Sequence, residues 1–385
     1  MKILHTADWH LGRSFNNFDL LAEQQFILSK FIEIVKETKP DVVIIAGDIY
    51  DRSVPPASAV TLFSNTIIEI IDLNIPVIAI AGNHDSAERI DYVQNLLGRQ
   101  NFHIFGTLKI PVSKIILEDK HGKVHFYCVP YTEPEQAKFI FDHQHLHSHE
   151  DAMRHIIDEI FNDHPQNERS VLIGHSFVNG GESSESERII INVGGSENIS
   201  ASVFGQFDYV ALGHLHRPQF FLDKKVQYAG SPLKYSLSES LHRKSVVMVE
   251  LEEKGVNHYK TIFLAPRKEV HRVKGHIENG RFFLDELGDI KPSKEDFLEV
   301  TLTNESLVLN AMHIIQKDYP NVLHIVPENI VIPGNRAFNT SNVKQLSEEQ
   351  LFEDFYNNIT GIKLDIKKRK YLLEAIRIAQ EENEK

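Results

Sequence analysis

Five short polar signatures in this chain each stand where an apolar run ends. Runs of four or more β-branched and apolar residues predict buried strands, and ligands of open α/β sheets bind beyond the carboxyl ends of such strands. The signatures are Asp8-Trp9-His10 after ILHTA, Gly47-Asp48 after VVIIA, Gly82-Asn83-His84-Asp85 after VIAIA, Gly174-His175 after VLI, and Gly213-His214-Leu215-His216 after YVAL. The sequence therefore predicts that carboxylate, amide and imidazole groups converge on one rim, and the main use of such a set is to hold metal.

The donor types and their spacing suit a pair of divalent cations. Asp8 and His10 lie two residues apart, as do His214 and His216, and in an extended segment that spacing places both side chains on one face. Asp48 has two carboxylate oxygens, enough to bridge two ions. The predicted ligands are Asp8, His10, Asp48, Asn83, His175, His214 and His216. They are too many for one tetrahedral ion but suit two ions that keep open positions for water and substrate.

The charge of such a site matches phosphoester hydrolysis. Two divalent cations carry +4 and the carboxylates of Asp8 and Asp48 carry −2, which leaves about +2 for a phosphodiester and a hydroxide to neutralise. Each signature alone is common in loops, but the five together, each closing an apolar strand, favour a hydrolase with two metals about 3.5–4 Å apart.

His84 is surplus to the metal count. Its imidazole could face the substrate and protonate a leaving alkoxide, or stabilise charge at the scissile phosphate. The alternative is a packing residue behind the ligands. We expect Asp85 to orient His84 and keep it protonated, and Asp85 is also a candidate for a substrate contact. Arg13 and Arg52 are candidates for phosphate contacts, although both could equally be surface arginines.

The organisation of the chain changes along its 385 residues, a length that predicts two or three domains. Residues 1–266 begin as an alternating α/β pattern and then carry strands with fewer helices, which indicates a two-sheet layered core. Residues 267–337 read as a small α/β unit with no acid–histidine signature. Residues 338–385 read as helices that either pack on the protein's own body or dock on a partner.

The composition indicates the cellular compartment of the protein and limits its possible binding partners. The single cysteine, Cys128, excludes a disulfide framework and indicates a buried thiol in a reducing cytoplasm. We expect neither a signal peptide nor an apolar run of the roughly 20 residues that span a bilayer. The net charge of −13 argues against a surface covered with phosphate-binding groups, but it does not exclude a nucleic-acid enzyme.

The segment Asp142–Asp151, DHQHLHSHED, is rich in histidine. Such tracts can bind metal. Here the flanking sequence lacks strands that would line a site, so the segment predicts a solvated loop.

The five signatures in this order resemble the calcineurin-like metallophosphoesterase superfamily. More narrowly, HTADWHLGR, GDIYDR, SESER and AGSPLKYSLSE are similar to the SbcD family, the nuclease subunits of bacterial SbcCD complexes. The resemblance implies an α/β fold with a two-sheet calcineurin-like metallophosphoesterase core and flanking helices. A small α/β capping domain and a C-terminal helical segment would follow the core.

The resemblance also implies roles for the site residues. One Mn²⁺ would be held by Asp8, His10, Asp48 and His216, and the other by Asp48, Asn83, His175 and His214. His84 would be the catalytic histidine. Position 51 departs from the archaeal and eukaryotic relatives, which carry a second histidine where this chain has Asp51. From the donor types alone, Mg²⁺, Fe²⁺ or Zn²⁺ could replace Mn²⁺.

For partners, the resemblance implies DNA and an SbcC-type ABC ATPase with long coiled coils, in a homodimer that becomes a heterotetramer. The activity would be 3′→5′ exonuclease on double-stranded DNA, dependent on ATP, and endonuclease on single strands and hairpins, in repair, replication and recombination at the cytoplasmic nucleoid. Two alternatives stay open at this point. One is a phosphomonoesterase or cyclic-nucleotide phosphodiesterase on the same scaffold, and the other is a DNA-end-binding scaffold without catalysis.

Overall fold

The computed structural model describes residues 1–16, 18–92, 94, 101–187, 198–285, 292–304, 308–328, 349–350, 352–353, 356, 365, 368–374 and 376. The chain forms two compact units, one of Met1–Arg272, Asp289–Glu299 and Tyr319–Leu323, the other of Val273–Gly288, Val300–Asp318 and His324–Lys385. Most of the predicted C-terminal helical segment lies outside the described residues, as does Arg188 of the SESER motif. The predicted domain boundaries remain a proposal.

The centre of the first sheet is built on strands that are buried along their whole length. Val42–Ala46 and Val77–Ile80 are apolar at every position, as expected for parallel strands covered on both faces. In spatial order the strands are Gly255–Phe263, Ser245–Glu252, Lys2–Thr6, Val42–Ala46, Val77–Ile80 and Phe102–Phe105. The last four run parallel to one another, and the first two join antiparallel.

The second sheet repeats this plan. In spatial order its strands are Gln219–Phe221, Val226–Tyr228, Tyr209–Gly213, Arg169–His175, Gly122–Val129 and Lys114–Asp119. The central four run parallel, and both edge strands are antiparallel. Gly213 pairs with His175 in the register of the two central strands, so two of the polar signatures end side by side.

The two sheets pack face to face, with helices on both outer faces. Ile44 of the first sheet lies in one buried cluster with Phe126 and Ile173 of the second. Helices Leu21–Thr38 and Ala57–Ile71 cover the first sheet. On the second sheet, the helix His149–Asp163 contributes a further buried cluster. The predicted two-sheet core with flanking helices is confirmed, and carboxyl ends of strands from both sheets can reach one site.

The remaining helices and sheets of the described chain are short. The other helices are Ala87–Asp91, Pro134–Phe141 and Ala311–Gln316. A third sheet has four strands in the order Arg281–Leu284, Val270–Glu278, Phe297–Leu302 and Val322–Pro327. Two short pairs remain, Phe177–Val178 with Asn198–Ile199 and Ser14–Phe15 with Phe18–Asp19.

The histidine-rich segment is more ordered than a solvated loop. Ser148 caps the helix that begins at His149, because its Oγ accepts from the Asp151 N–H at 3.1 Å while the Asp151 carboxylate accepts from the Ser148 N–H at 3.0 Å. His149 is buried. The prediction was therefore wrong for the last residues of Asp142–Asp151, although this capping box can be read directly from the sequence.

Cys128 is buried and free, as predicted. Burial raises the pKa of its thiol far above the ordinary value, so it is an unreactive packing group. In the described part of the chain, no helix is both long and apolar enough to cross a bilayer.

Candidate metal centre

The predicted ligands lie at the carboxyl ends of strands from both sheets. Those of the first sheet are Asp8, His10, Asp48 and Asn83, and those of the second are His175, His214 and His216. Asn83 is partly exposed, and the other six are buried. The structure thus brings together every ligand that the five signatures predict.

Several of the predicted ligands have a left-handed backbone. The φ angles are 54° at Asp8, 44° at His10, 48° at Asp48 and 105° at His214. Such conformations cost non-glycine residues on the order of 1–3 kcal/mol and persist where the surroundings hold them. Here the Asp8 N–H donates to the Gly47 carbonyl at 3.1 Å, and the His214 N–H donates to Asp8 Oδ1 at 2.8 Å. The ligand loops are therefore held by the fold in shapes that they would not adopt alone.

Two of the glycines are required because the sheets approach closely. A Cβ on Gly213 would lie 1.8 Å from the Ala46 carbonyl oxygen. A Cβ on Gly47, whose φ is +89°, would lie 2.2 Å from His175 Nδ1. Neither position leaves room for a side chain, so each glycine keeps a ligand of one sheet within reach of the other.

Asp48 stands between two groups of donors. Its Oδ2 lies 3.5 Å from His10 Nε2 and 3.4 Å from His175 Nε2. On one side His10 Nε2 and His216 Nε2 are 3.0 Å apart. On the other side are two contacts of Asn83 Oδ1, 3.1 Å from His175 Nε2 and 3.2 Å from His214 Nδ1. The arrangement is two clusters that share one carboxylate oxygen.

The hydrogen bonds leave this shared space rich in lone pairs. His175 Nδ1 lies 2.9 Å from the Ala46 carbonyl, which can only accept, so in the neutral ring the proton is on Nδ1 and Nε2 faces the oxygens of Asn83 and Asp48. Among the described residues, Asp8 Oδ2 is buried and has no hydrogen-bond partner. Acceptors that face one another repel unless a cation or a proton lies among them, so the residues present fit a divalent metal centre.

The pKa shifts in the metal-free chain also indicate that positive charge belongs among these donors. Burial would lower the pKa of His175, but Asp48 raises it to about 9. Burial would raise the pKa of Asp48, but His175 and His10 hold it well below the ordinary value. Burial also raises the pKa of Asp8 to about 7 and lowers that of His214 to about 3. A proton on His175 thus supplies the positive charge that a bound cation would replace.

His84 lies beside the donors and is held at two points. Its Nδ1 donates to the Asp51 carbonyl at 2.8 Å, and its backbone N–H donates to Asp48 Oδ1 at 2.9 Å. The ring centroid is 4.7 Å from that of His10. His10, Asp48 and His84 also form a group whose ligand atoms lie within 4.8 Å of one another. The other ring nitrogen of His84, Nε2, takes no part in the contact with Asp51.

Asp85 does not orient His84, and that expectation was wrong. Its carboxylate accepts from the backbone N–H groups of Ile49, Tyr50 and Gly82 at 3.0, 2.9 and 2.9 Å. Burial and the nearby Asp48 raise the pKa of Asp85 to about 7, against these bonds. Asp85 therefore ties together the loops that follow the second and third signature strands, and the Asp51 carbonyl orients His84 instead.

The two arginines are placed differently. Arg13 lies at the site, with a guanidinium nitrogen 3.2 Å from Asp51 Oδ1 and a second donating to the Ser186 carbonyl at 3.0 Å. Its guanidinium also lies over the Tyr235 ring at 5.2 Å. Arg52 is exposed to solvent, so only its position in sequence associates it with the site.

His216 is surrounded by residues that the count of metal donors in the sequence did not identify. Ser186, Glu187, Glu239 and Lys244 are all buried and make direct or relayed contacts with that histidine. Ser186, Glu187 and Glu239 belong to the SESER and AGSPLKYSLSE motifs, which contribute no metal donor of their own, whereas Lys244 lies outside both motifs.

A two-sheet core whose strand ends share one carboxylate among histidines is the arrangement of a metallophosphoesterase, and residues 1–218 match the family model of the calcineurin-like phosphoesterases. The chain belongs to that family and is a metal-dependent hydrolase of phosphoester bonds. Residues 266–360 match the model described as the type 5 capsule protein repressor C-terminal domain.

Full-length relatives confirm the resemblance to SbcD proteins. The chain is 33% identical to the D subunit of the nuclease SbcCD from Staphylococcus saprophyticus, over 100% of both chains. It is 32% identical to the protein of the same name in Staphylococcus epidermidis, over 94% of each.

The solved structures that the chain matches are more distant. They include a protein from Thermus thermophilus, 12% identical with a TM-score of 0.39, and a dimetal phosphatase from Danio rerio, 13% identical with a TM-score of 0.40. Each alignment covers 69% of this chain and 99% of the other.

Proposed function

We propose that this chain is a metal-dependent nuclease that hydrolyses DNA phosphodiester bonds with a pair of Mn²⁺ ions. The observation that carries the proposal is Asp48 Oδ2, which lies within 3.5 Å of imidazole nitrogens from both donor clusters. Asp8, His10, Asp48 and His216 would hold one ion, and Asp48, Asn83, His175 and His214 the other. When bound, such a pair activates water at neutral pH and neutralises charge at the phosphate.

The chain's own residues would position and protonate the substrate. His84 is fixed by the Asp51 carbonyl through Nδ1, so Nε2 is the atom that can donate to the leaving oxygen. Arg13 is the better phosphate contact of the two arginines, since it is half-buried beside Asp51. Asp85 accepts hydrogen bonds from the backbone of the metal loops.

DNA is favoured as the substrate by the relatives, which are named as parts of a nuclease and align along their whole length. A small-molecule phosphoesterase would also need nothing like the 119 residues that follow position 266 in this chain of 385. The described residues of the site do not favour a phosphomonoester or a cyclic nucleotide, so these are outcomes of the test below.

The finer proposal concerns polarity and partners. We propose 3′→5′ exonuclease activity on duplex DNA, dependent on ATP and an SbcC-type ABC ATPase, and endonuclease activity on single strands and hairpins. The assembly would be a homodimer within a heterotetramer at the cytoplasmic nucleoid. Residues 267–337 would be the capping domain, and residues 338–385 would bind the ATPase. The relatives are named as one subunit of SbcCD, which supports a partner.

One assay tests substrate and mechanism together. Linear duplex DNA is incubated with Mn²⁺ and the wild type, Asp8→Asn or His84→Gln. We expect degradation by the wild type only, with metal retained in the His84 variant. Cleavage of small phosphoesters but never of DNA would replace the proposal with a small-molecule phosphoesterase, and DNA binding without hydrolysis under any condition would indicate a scaffold.

The partner assignment has its own test. Deleting Asn339–Lys385 should abolish co-purification of the ATPase while Mn²⁺-dependent cleavage by the remaining chain persists. Retained co-purification would overturn the assignment of this segment.

A further inference from the structure

A buried hydroxyl connects His216 to a carboxylate that takes no part in the donor clusters. Ser186 Oγ lies 2.6 Å from His216 Nδ1, 2.5 Å from Glu239 Oε1 and 2.9 Å from Ser184 Oγ. All four residues are buried. Ser186 and Glu239 are 53 residues apart in sequence and belong to the SESER and AGSPLKYSLSE motifs, which the metal count leaves unexplained.

The directions of these bonds follow from counting protons. Glu239 is an anion, because Lys244 Nζ lies 2.5 Å from its Oε2 in a fully buried ion pair. A carboxylate only accepts, so the Ser186 hydroxyl donates to Glu239. A serine hydroxyl has one proton and two lone pairs. Ser186 must therefore accept from His216 Nδ1, and its second lone pair takes the Ser184 hydroxyl.

We propose that Ser186 is a positioning residue that relays the charge of Glu239 to His216 and fixes the tautomer that a metal ligand needs. With the proton held on Nδ1, Nε2 keeps its lone pair, and that atom faces His10 Nε2 at 3.0 Å. The inference rests on the proposed function, since it assigns His216 to a cation. A carboxylate behind a ligating histidine raises its basicity and fixes its ring.

Lys244 holds the backbone of the same histidine. Its three N–H groups donate to Glu239 Oε2, to the His216 carbonyl at 2.8 Å and to Ser231 Oγ at 2.8 Å. All three protons are used. The network is thus closed, and it reaches His216 at both the ring and the main chain.

The relay makes the two donor clusters unequal. His216 is backed by a carboxylate through Ser186, whereas His175 is backed by the neutral Ala46 carbonyl at 2.9 Å. We therefore expect loss of the relay to weaken one of two Mn²⁺ sites and to leave the other unchanged.

Ser186→Ala removes the hydroxyl that connects His216 to Glu239. Glu239 Oε1 keeps two other donors, Ser236 Oγ at 3.0 Å and the Tyr235 N–H at 3.2 Å, so no buried anion is left alone. The His216 N–H and the Ser184 hydroxyl lose the partner that Ser186 gave them. Glu239 Oε1 lies 3.7 Å from His216 Nδ1, beyond hydrogen-bond distance. Ser186→Thr keeps the hydroxyl and should restore the wild-type behaviour. Ser245→Ala is the matched control, because that serine is also buried but its hydroxyl has no hydrogen-bond partner in the described part of the chain.

The first readout is the tautomer of His216 in the metal-free chain, measured by nitrogen-15 NMR of histidine-labelled protein and assigned with His216→Gln. We expect a proton on Nδ1 in the wild type, in Ser186→Thr and in Ser245→Ala, and a shift toward Nε2–H in Ser186→Ala. A proton on Nε2 of His216 in the wild type would overturn the relay, and this result does not depend on whether Ser186→Ala folds.

The second readout is calorimetric titration with Mn²⁺. We expect Ser186→Ala to weaken one site by about 10–100-fold, while Ser186→Thr and Ser245→Ala match the wild type. Equal affinity in Ser186→Ala and the wild type would overturn the relay. Failure of the wild type to bind two ions would overturn the proposed function instead, and the metal-free spectrum would still decide the relay.

Discussion

Replacing His84 with glutamine tests whether this side chain protonates the leaving oxygen. Glutamine can still donate a hydrogen bond to the Asp51 carbonyl, which His84 Nδ1 reaches at 2.8 Å, but it cannot transfer a proton. The backbone N–H that donates to Asp48 Oδ1 at 2.9 Å is unaffected. The ligand loops should therefore keep their geometry, and the change isolates the imidazole.

The expected magnitude follows from the role. Loss of a general acid lowers kcat by roughly 10²–10⁴-fold, which corresponds to about 3–5 kcal/mol of transition-state stabilisation. The effect should depend on the leaving group. Cleavage of DNA, which expels a poor alkoxide leaving group, should fall by this amount, whereas bis-(p-nitrophenyl) phosphate expels a stable phenolate and should lose far less.

The assay measures kcat on both substrates and the Mn²⁺ stoichiometry for wild type and His84→Gln. His258→Gln is the matched control, since this histidine is exposed on the edge strand Gly255–Phe263. An equal fall on both substrates would refute proton donation. Loss of one Mn²⁺ would show that His84 is a ligand, which its position beside His10 and Asp48 permits.

Three further outcomes follow from the fold and the site. Gly213→Ala places a Cβ 1.8 Å from the Ala46 oxygen and should lower the free energy of unfolding by about 3 kcal/mol or more in urea titrations. Gly205→Ala, whose Cβ would lie 3.3 Å from its nearest atom, the Ser202 carbonyl oxygen, should lower it far less. Burial lowers the pKa of His5 to about 3 in the folded chain, below the unfolded value of about 6.5, so stability is lost as pH falls below about 6.5. In EDTA, the free energy of unfolding should fall less steeply with falling pH in His5→Gln than in the wild type, by about 1.4 kcal/mol per pH unit between pH 6 and 4. Equal slopes in the two proteins would contradict a buried neutral His5. Mn²⁺ at about 100 times its Kd should raise the free energy of unfolding by about 2.7 kcal/mol per site, and Asp48→Asn should remove most of that gain in thermal melts.

Much of the fold and of the ligand set can be read from the sequence, because buried parallel strands are short apolar runs and their ends meet at one edge. The run VVIIA predicts a strand, and Val42–Ala46 is one. The strand expected at Val77–Ala81 ends one residue earlier, at Ile80. These elements place Asp48 and Asn83 without any knowledge of how the strands pair.

The surroundings of the ligands are less predictable, because they depend on pairing between distant segments. Nothing periodic in SESER indicates that Ser186 lies between His216 and Glu239. Asp85 neighbours His84 in sequence, yet the loop turns its carboxylate to the backbone of Ile49. Side-chain neighbours in loops follow the local backbone, which hydrophobic patterning does not determine.

The two-cation centre is decided most directly by anomalous diffraction at the manganese absorption edge from crystals grown with Mn²⁺. We expect two anomalous peaks per chain, about 3.5–4 Å apart, with Asp48 in contact with both. His216 should contact one peak through Nε2, and His175 the other. A single peak, or two peaks that do not share Asp48, would contradict the two-metal hydrolase proposed for this chain.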